Sequence, residues 1–252
     1  MITYIIRPTS CSVALTTEQH RRLQHSVMTV FNITIYLDTI CAWCYIGDRT
    51  LGRAITLYQR TYPGGRDDTF NFMFHPFYLR NKAPAQGVPL HDAMLEKNQT
   101  ESRVVAIKTK MQRIGNEYGI KFNYDSKVGS TRLSHVLIQQ TGRSKGNEVQ
   151  KLLVEALYAM HYEHGGDITS ADELVAVAKG VGIGAQEARD WLADEQVGRK
   201  VDAMARMARE EKGVTSVPTL EIGEVRIEGA DDVGGLLEAL VKVKEGEKAR
   251  TD

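Results

Sequence analysis

The chain has 252 residues, of which 42% are hydrophobic and 25% are charged, as is ordinary for a globular protein. Lys plus Arg equal Asp plus Glu at 32 each, so no net positive field draws the chain to nucleic acid or to an anionic membrane. The sequence contains no apolar run of the roughly 18–20 residues that a membrane helix needs. We therefore expect neither nucleic acid nor a membrane as a partner.

The first segment, residues 1–27, is polar and irregular, and we expect it to be a disordered extension ahead of a fold that begins near Met28. Its apolar stretch, residues 2–6, is shorter than the core of a secretory signal. An excess of arginine over acidic residues leaves a mitochondrial presequence as the alternative to a cytoplasmic location, although its amphipathic spacing is poor. Cys11 in this segment is expected to be a free, incidental thiol.

The folded part is predicted to open with a strand, a helix and a second strand. Residues 30–37 alternate apolar and polar side chains, which is typical of a strand. From Cys44 the apolar residues recur at steps of three and four, which predicts a helix that ends by Pro63. Residues 69–77 are rich in Phe and alternate again, which predicts the second strand. The following hundred residues are predicted to be helical, with helices within residues 90–118, 131–140, 149–160, 170–181 and 185–192.

The last fifty residues return to a mixed pattern. An apolar stripe over residues 197–208 predicts a helix, two short strands follow over 218–222 and 224–228, and a final helix is predicted over 231–243. Without the helical block, the order is βαβ followed by αββα, which is the thioredoxin order. We therefore predict an α/β protein with a thioredoxin fold and an inserted all-helical domain. The predicted parts are a thioredoxin-like domain over 28–80 and 196–246, an insertion over 81–195 and a tail over 247–252.

The segment Cys41-Ala42-Trp43-Cys44 carries the predicted chemistry. It lies where the first strand meets the first helix, and a helix start offers unpaired N–H groups and a partial positive charge that stabilise a thiolate. Cys41 is the predicted nucleophile. Cys44 lies one turn further along, where it would face the core and then displace a partner bound to Cys41.

A metal site is the competing interpretation of this cysteine pair. A tetrahedral zinc site usually takes four ligands, often as two pairs, and the sequence has no second Cys-x-x-Cys. The pair His161 and His164 lies in a different block, where we expect it to end an exposed helix face. We therefore predict no metal and no required cofactor.

A second motif is Thr215-Ser216-Val217-Pro218. A proline that opens a strand needs a structural reason, and a cis Val217–Pro218 bond would supply one. A trans proline on an edge strand is the alternative, and the sequence alone does not decide between them.

Three stretches carry a resemblance to a known family. They are the run from Asp38 to Gly47, the run from Gly213 to Thr219 followed by Gly229-Ala230, and the residues Thr131, His135 and Leu137 of the helical block. Together they resemble the DsbA family of thiol oxidoreductases, in particular its FrnE-like branch, over residues 30–245.

The resemblance implies that the insertion shapes a substrate groove beside Cys41 and that the residue before a cis-proline presents its backbone to the substrate as an added strand does. The substrate-binding residues that it implies are Trp43, His75, Val217 and Pro218. Two residues depart from the family pattern. Ala42 replaces the usual proline, which leaves the redox poise open, and His75 stands where asparagine commonly precedes Pro76. His135 is expected to be a helix-packing histidine with satisfied hydrogen bonds.

The same superfamily includes 2-hydroxychromene-2-carboxylate isomerases and kappa-class glutathione transferases, which generally carry Ser at the position of Cys41 and hold glutathione as the reactive thiol. A glutathione-dependent isomerase or transferase acting on an aromatic or polyketide-like molecule is therefore the alternative function. Asp231 and Asp232 would meet the γ-glutamyl amino group of glutathione, although both also suit an ordinary helix N-terminus. A non-catalytic binding protein is the third class, disfavoured because both cysteines are present.

The sequence thus predicts a thiol–disulfide oxidoreductase with Cys41 and Cys44 as its catalytic residues. Its expected partner is a disulfide-bearing protein or a small thiol or disulfide, with glutathione as a candidate co-substrate. A reducing cytosol favours the reductive direction. The oligomeric state, a homodimer included, is left open.

Overall fold

The structure, a computed structural model, describes residues 28–251. The expected extension over residues 1–27, including Cys11, lies outside the described residues. The strands are β1 (Val30–Leu37), β2 (Thr69–Pro76), β3 (Val88–Pro89), β4 (Lys127–Val128), β5 (Thr219–Ile222) and β6 (Val225–Glu228). The helices are α1 (Ala42–Thr61), α2 (Leu90–Asn98), α3 (Glu101–Glu117), α4 (Arg132–Lys145), α5 (Asn147–Tyr162), α6 (Ala171–Gly180), α7 (Ala185–Ala193), α8 (Glu195–Glu210) and α9 (Val233–Thr251).

Four strands form the main sheet in the order β2-β1-β5-β6. β1 and β2 are parallel, whereas β5 runs antiparallel to β1 and to β6. The parallel pair is joined by α1, as a parallel connection requires. This sheet, with α2 to α7 inserted between β2 and α8, confirms the predicted thioredoxin fold with a helical insertion.

The core lies between the sheet and α1. Phe31, Ile33 and Leu37 of β1 are buried, and they alternate with residues that point to the other face. On α1, the residues Tyr45, Leu51, Ala54 and Tyr58 are buried at helical spacing, so one stripe of the helix covers one face of the sheet. The helix start is fixed by this packing, and the position of the cysteine pair follows from it.

The insertion is almost entirely helical, with one addition to the prediction. β3 and β4 form a two-residue ladder in which Val88 pairs with Val128 and Pro89 pairs with Lys127. Strands this short carry no alternating pattern, so the sequence did not predict them. The region predicted to be helical over residues 90–118 contains two helices, because Gln99 adopts a left-handed conformation (φ 66°) between α2 and α3.

The last helix is longer than predicted. It runs to Thr251, past the predicted helix end at residue 243 and into the segment predicted as a tail over residues 247–252. Lys244 is fully buried, and its Nζ lies 2.7 Å from Oδ1 of Asp68. Asp68 also accepts hydrogen bonds from the Thr29 amide and the Tyr58 hydroxyl, each at 2.7 Å. Burial alone would raise the pKa of Asp68, but these three donors hold it below its ordinary value.

Candidate active site

Cys41 occupies the N-cap position of α1. Its backbone is extended (φ −99°, ψ 105°), and its amide donates to the carbonyl of Asp38 at 3.0 Å. The amide of Cys44 lies 3.3 Å from Sγ of Cys41, so the sulfur takes the place of the usual capping oxygen. A sulfur that accepts a helix-start amide is stabilised when it carries negative charge.

The second motif meets the first at this sulfur. The Val217–Pro218 peptide bond is cis, and the Cys41 thiol donates to the carbonyl oxygen of Val217 at 3.4 Å. Behind that carbonyl, Pro218 packs on Gly47 of α1, where a Cβ atom would lie 3.1 Å from Cγ of Pro218. The two motifs, distant in sequence, therefore form one site.

Cys44 is the inner member of the pair. Its side chain is 3% exposed, against 6% for Cys41, and both cysteines are free thiols. Burial raises the pKa of Cys44 well above its ordinary value, and the neighbouring Cys41 raises it further. Burial therefore favours the protonated form of Cys44.

A buried acid and a buried histidine lie behind the cysteine motif. Asp38, three residues before Cys41, accepts the amide of Leu79 at 2.8 Å through Oδ2. Its Oδ1 lies 3.6 Å from Nε2 of His135, and neither atom has a hydrogen-bond partner among the described residues. The expectation that His135 is fully hydrogen-bonded is therefore wrong. The Asp38–His135 contact, together with Thr39 and Ser134 (Oγ1–Oγ 2.8 Å), joins the cysteine loop to α4 of the insertion.

Aromatic side chains of α5 cover the site from the insertion. Tyr158 and Tyr162 are buried and stack on Tyr45 of α1, with ring centroids 5.1 and 6.3 Å away. Burial raises the pKa of Tyr158 and of Tyr162 well above the ordinary value, so both remain neutral phenols. His161 of the same helix is buried as well, contrary to the expected exposed position, and burial lowers its pKa to about 4.

The structure separates the predicted substrate-binding residues into two groups. Trp43 lies between the two cysteines in sequence and is 41% exposed. His75 is not in the same place. It pairs with Tyr36 in the sheet register, and their rings are 5.2 Å apart, whereas the flanking Ile35 and Phe74 line the face that meets Cys44. His75 therefore lies on the opposite face of the sheet from the cysteine pair.

The two acidic residues suggested for glutathione lie near the cis-proline. The amide of Gly229 donates to the Pro218 carbonyl at 2.7 Å, which holds the turn before α9 against that loop. Asp231 and Asp232 are both exposed. Asp232 already accepts the Gly235 amide at 2.9 Å, so its carboxylate caps α9.

Sequence reasoning missed one residue of this site, Asp48. It follows Cys44 by four residues, so both lie on the same face of α1, and both line one small cavity. The signal was present, since a carboxylate one helical turn after a reactive cysteine is a visible spacing.

Within residues 28–251, no three His, Cys, Asp or Glu side chains cluster as a metal site would require, and no helix is long and apolar enough to cross a membrane. A cysteine pair at the start of the first helix, facing a cis-proline loop, defines a thioredoxin-fold protein with a dithiol site. A sequence model of the DSBA-like thioredoxin domain matches residues 32–241. The chain belongs to this family.

Several proteins are similar to this chain. The uncharacterized protein YwbO of Bacillus subtilis is 26% identical over 208 residues, which cover 81% of this chain and 92% of YwbO. Among solved structures, the probable DsbA oxidoreductase SCO1869 of Streptomyces coelicolor has a TM-score of 0.72 at 22% identity, covering 84% of this chain and 89% of its own. A 2-hydroxychromene-2-carboxylate isomerase has a TM-score of 0.61 at 15% identity, covering 88% and 99%. The cytosolic disulfide reductase DsbM of Pseudomonas aeruginosa, solved with GSH, has a TM-score of 0.55 at 14% identity, covering 87% and 98%.

Proposed function

We propose that this protein is a thiol–disulfide oxidoreductase of the FrnE-like type, with Cys41 as the attacking and Cys44 as the resolving cysteine. One observation carries the proposal. The Cys41 sulfur, supported by the Cys44 amide at 3.3 Å, faces the Val217 carbonyl at 3.4 Å, while Cys44 lies directly behind it in the core. Two-step exchange requires an outer sulfur that attacks first and an inner sulfur that loses its proton only when it resolves the mixed disulfide.

In the reductive direction, the Cys41 thiolate attacks one sulfur of the substrate disulfide. The substrate S–S bond breaks, its other sulfur leaves as a thiolate that takes a proton from water, and a mixed disulfide forms on Cys41. The Cys44 sulfur, having lost its proton, then attacks Sγ of Cys41 and releases the second substrate thiol. Two electrons pass from the protein dithiol to the substrate, and two molecules of a small thiol such as glutathione restore the dithiol as they become one disulfide. The same steps in reverse oxidise a substrate.

Substrate binding is proposed to use the surface around the Cys41 sulfur. The Val217 carbonyl faces the Cys41 sulfur at 3.4 Å, so an extended substrate segment that pairs with this backbone would lie beside that sulfur. The exposed Trp43 ring offers apolar contact beside the reacting sulfur. His75 is not included, because it lies across the sheet.

A glutathione-dependent isomerase or transferase is the second candidate. The observation that favours it is the exposed Asp231 on the turn that adjoins Pro218, where a carboxylate could meet the amino group of a γ-glutamyl unit. The fold similarity to the isomerase and to DsbM, which was solved with GSH, is consistent with it. In this candidate the bound glutathione supplies the reactive thiol, and Cys44 is dispensable.

The test compares three single substitutions in the full-length chain. The substrate is a peptide in mixed disulfide with glutathione, with free glutathione as the reductant. Cys41→Ser should abolish turnover, and Cys44→Ser should accumulate a covalent peptide or glutathione adduct on Cys41 that mass spectrometry detects. Cys11→Ser, the matched control, should leave turnover unchanged.

Two outcomes would contradict the proposal. Exchange that survives Cys41→Ser would remove its nucleophile. Isomerase turnover of a 2-hydroxychromene carboxylate that needs glutathione and tolerates Cys44→Ser would establish the second candidate in its place. A reducing cellular compartment, as proposed from the sequence, suits the reductive direction.

A further inference from the structure

Asp48 has an unusual position between two openings in the protein. It lines a cavity of about 10 Å³ beside Cys44, and it also lines an open surface groove of about 510 Å³ between α1 and α5. Among the described residues, Asp48 is the one that lines both. Asp48 therefore lies between the cavity beside the inner thiol and the groove at the surface.

The cavity beside Cys44 is small and mostly apolar. Its volume lies at the lower end of the roughly 10–15 Å³ that a cavity needs in order to hold one water molecule. The side chains around it that carry a polar group are Cys44, Asp48 and Tyr158, and the remaining walls come from the sheet, α1, α5 and the cis-proline loop. Asp48 is the one carboxylate among the described residues that line it.

The Cys44 thiol has to lose its proton although it is buried. Cys44 must become a thiolate before it can attack Sγ of Cys41, and burial favours its protonated form. With 3% of its surface exposed, it cannot pass the proton directly to bulk water. A nearby group that takes the proton and reaches solvent on its other side would solve this problem.

We propose that Asp48 accepts the proton of the Cys44 thiol across the small cavity and releases it to water in the α1–α5 groove. This inference rests on the proposed function, since it concerns the resolving step of thiol–disulfide exchange. It assigns a role to a residue outside both sequence motifs.

With substrate held on Cys41 as a mixed disulfide, the Asp48 carboxylate takes the proton of the Cys44 thiol through one water molecule. The Cys44 thiolate attacks Sγ of Cys41, the bond between Cys41 and the substrate sulfur breaks, and the Cys41–Cys44 disulfide forms. The substrate leaves as a thiolate that takes a proton from water, and Asp48 returns its own proton to the groove.

The charged groups around Asp48 are compatible with this role. Burial raises the pKa of Asp48 to about 6, with Glu155 of α5 acting in the same direction, whereas Lys151 of α5 and Arg49 of α1 lower it. Arg53 and Arg60 of α1 also line the groove. At neutral pH the group is mostly a carboxylate, yet it is a better proton acceptor than an ordinary aspartate.

The experiment separates the two sulfur steps. Reduced full-length protein carrying Cys11→Ser, which removes the third thiol, is mixed with excess dithionitrobenzoate, whose coloured thiolate is released once by Cys41 and once again when Cys44 resolves the adduct. We expect Asp48→Asn to leave the first release unchanged and to slow the second at least tenfold at pH 7. The rise of the second rate with pH through about 6 should disappear in Asp48→Asn and persist in Asp48→Glu.

Glu155→Gln is the matched control, because Glu155 lines the groove but not the cavity. It should keep the second release at pH 7 and move its pH dependence to lower pH, whereas Lys151→Gln should move it to higher pH. These two variants retain Asp48 and so test the proposal even if Asp48→Asn does not fold.

A second release with the same rate and pH profile in Asp48→Asn would overturn the proposal, as would a profile that moves in neither Glu155→Gln nor Lys151→Gln. Failure of the proposed function gives a different result. In that case the Cys11→Ser protein itself would show no second release, or Cys41→Ser would retain the first.

Discussion

The thiol of Cys41 donates to the main-chain oxygen of Val217 at 3.4 Å, across 176 positions of sequence. This contact joins the start of α1 to the loop that opens β5. In the proposed function, this contact sets where a substrate backbone lies relative to the Cys41 sulfur, and its geometry depends on how closely the loop approaches the helix.

Gly47 sets that approach, and we predict that Gly47→Ala lowers turnover of the glutathionylated peptide about tenfold. A Cβ atom at position 47 would lie 3.1 Å from Cγ of Pro218, so the loop must shift away from Cys41, and small misplacements cost reaction rate steeply. Steady-state kinetics checks this. The control is Gly52→Ala on the same helix, where a Cβ meets nothing within 4 Å. Equal activity of the two variants would show that the loop position does not limit the reaction.

Trp43 is predicted to bind substrate without taking part in the sulfur chemistry. Trp43→Ala should raise KM for the peptide about threefold to tenfold and leave kcat nearly unchanged, because the variant loses apolar contact area beside the sulfur. Leu152→Ala, which removes an exposed apolar side chain from α5, should change neither constant. A fall in kcat with constant KM would instead place the indole in the chemical step.

The ion pair of Lys244 with Asp68 should dominate the attachment of α9. Lys244→Met leaves a buried carboxylate without its cation, so we expect a loss of about 3–5 kcal/mol in the free energy of unfolding, measured by urea denaturation. The double variant Asp68→Asn with Lys244→Met should recover part of that loss. A loss below about 1 kcal/mol in Lys244→Met would contradict the prediction.

The ion pair of Lys244 with Asp68 also predicts that the protein loses stability in acid. The folded-state pKa of Asp68 lies below its unfolded value near 3.8, so its contribution is complete above that value and is lost as the pH falls through the folded pKa. Unfolding measured between pH 5 and pH 2 should therefore show a steeper acid dependence in the parent protein than in the double variant.

Asp48 should make the folded protein less stable as the pH rises, which is the opposite of the effect of Asp68. Its pKa is raised in the folded state to about 6, so the folded protein binds more protons than the unfolded chain between about pH 4 and 6, and stability falls as the pH rises through that window. A rise of this size corresponds to about 3 kcal/mol, which partial exposure reduces to about 1–2 kcal/mol. Asp48→Asn should therefore unfold at higher temperature than the parent at pH 8 and at the same temperature near pH 3.5.

This stability result also bears on the proposed role of Asp48. A residue with a purely structural role should destabilise the protein when it is replaced. A variant that is more stable and yet slower in resolving the mixed disulfide would show that the carboxylate is kept for its chemistry. Lower stability of Asp48→Asn at pH 8 would contradict the prediction.

The fold and the cysteine pair were predictable because their signals are local. Alternation in β1, helical spacing after Cys44 and the turn at Gly223 are readable over short windows. The contact between Asp38 and His135 was not predictable, because it depends on how α4 packs against the loop before Cys41. The face of the sheet on which His75 lies depends on the register between β2 and β1, and a motif match does not give this register.

The end of the last helix was also not predictable from local sequence. Charged residues after Val243 resemble a solvated tail, and a lysine is rarely buried without a partner. The partner of Lys244 is Asp68, 176 residues away, and its acceptance of three donors makes burial favourable. A short stretch of sequence does not reveal a partner this far away along the chain. The helix was therefore predicted to end too early.

The cavity around Cys44 is walled by Tyr158 from the insertion and by Pro218 and Leu220 from the sheet. Peroxide and other oxidants convert exposed thiolates stepwise to sulfinic and sulfonic acids, which cellular thiols do not reverse. The Cys44 sulfur is protonated and is enclosed by both segments. It is therefore neither exposed nor a thiolate, and it resists this oxidation. If the pair works as proposed, Cys44 is shielded from this damage, and closing the Cys41–Cys44 disulfide would protect Cys41 as well.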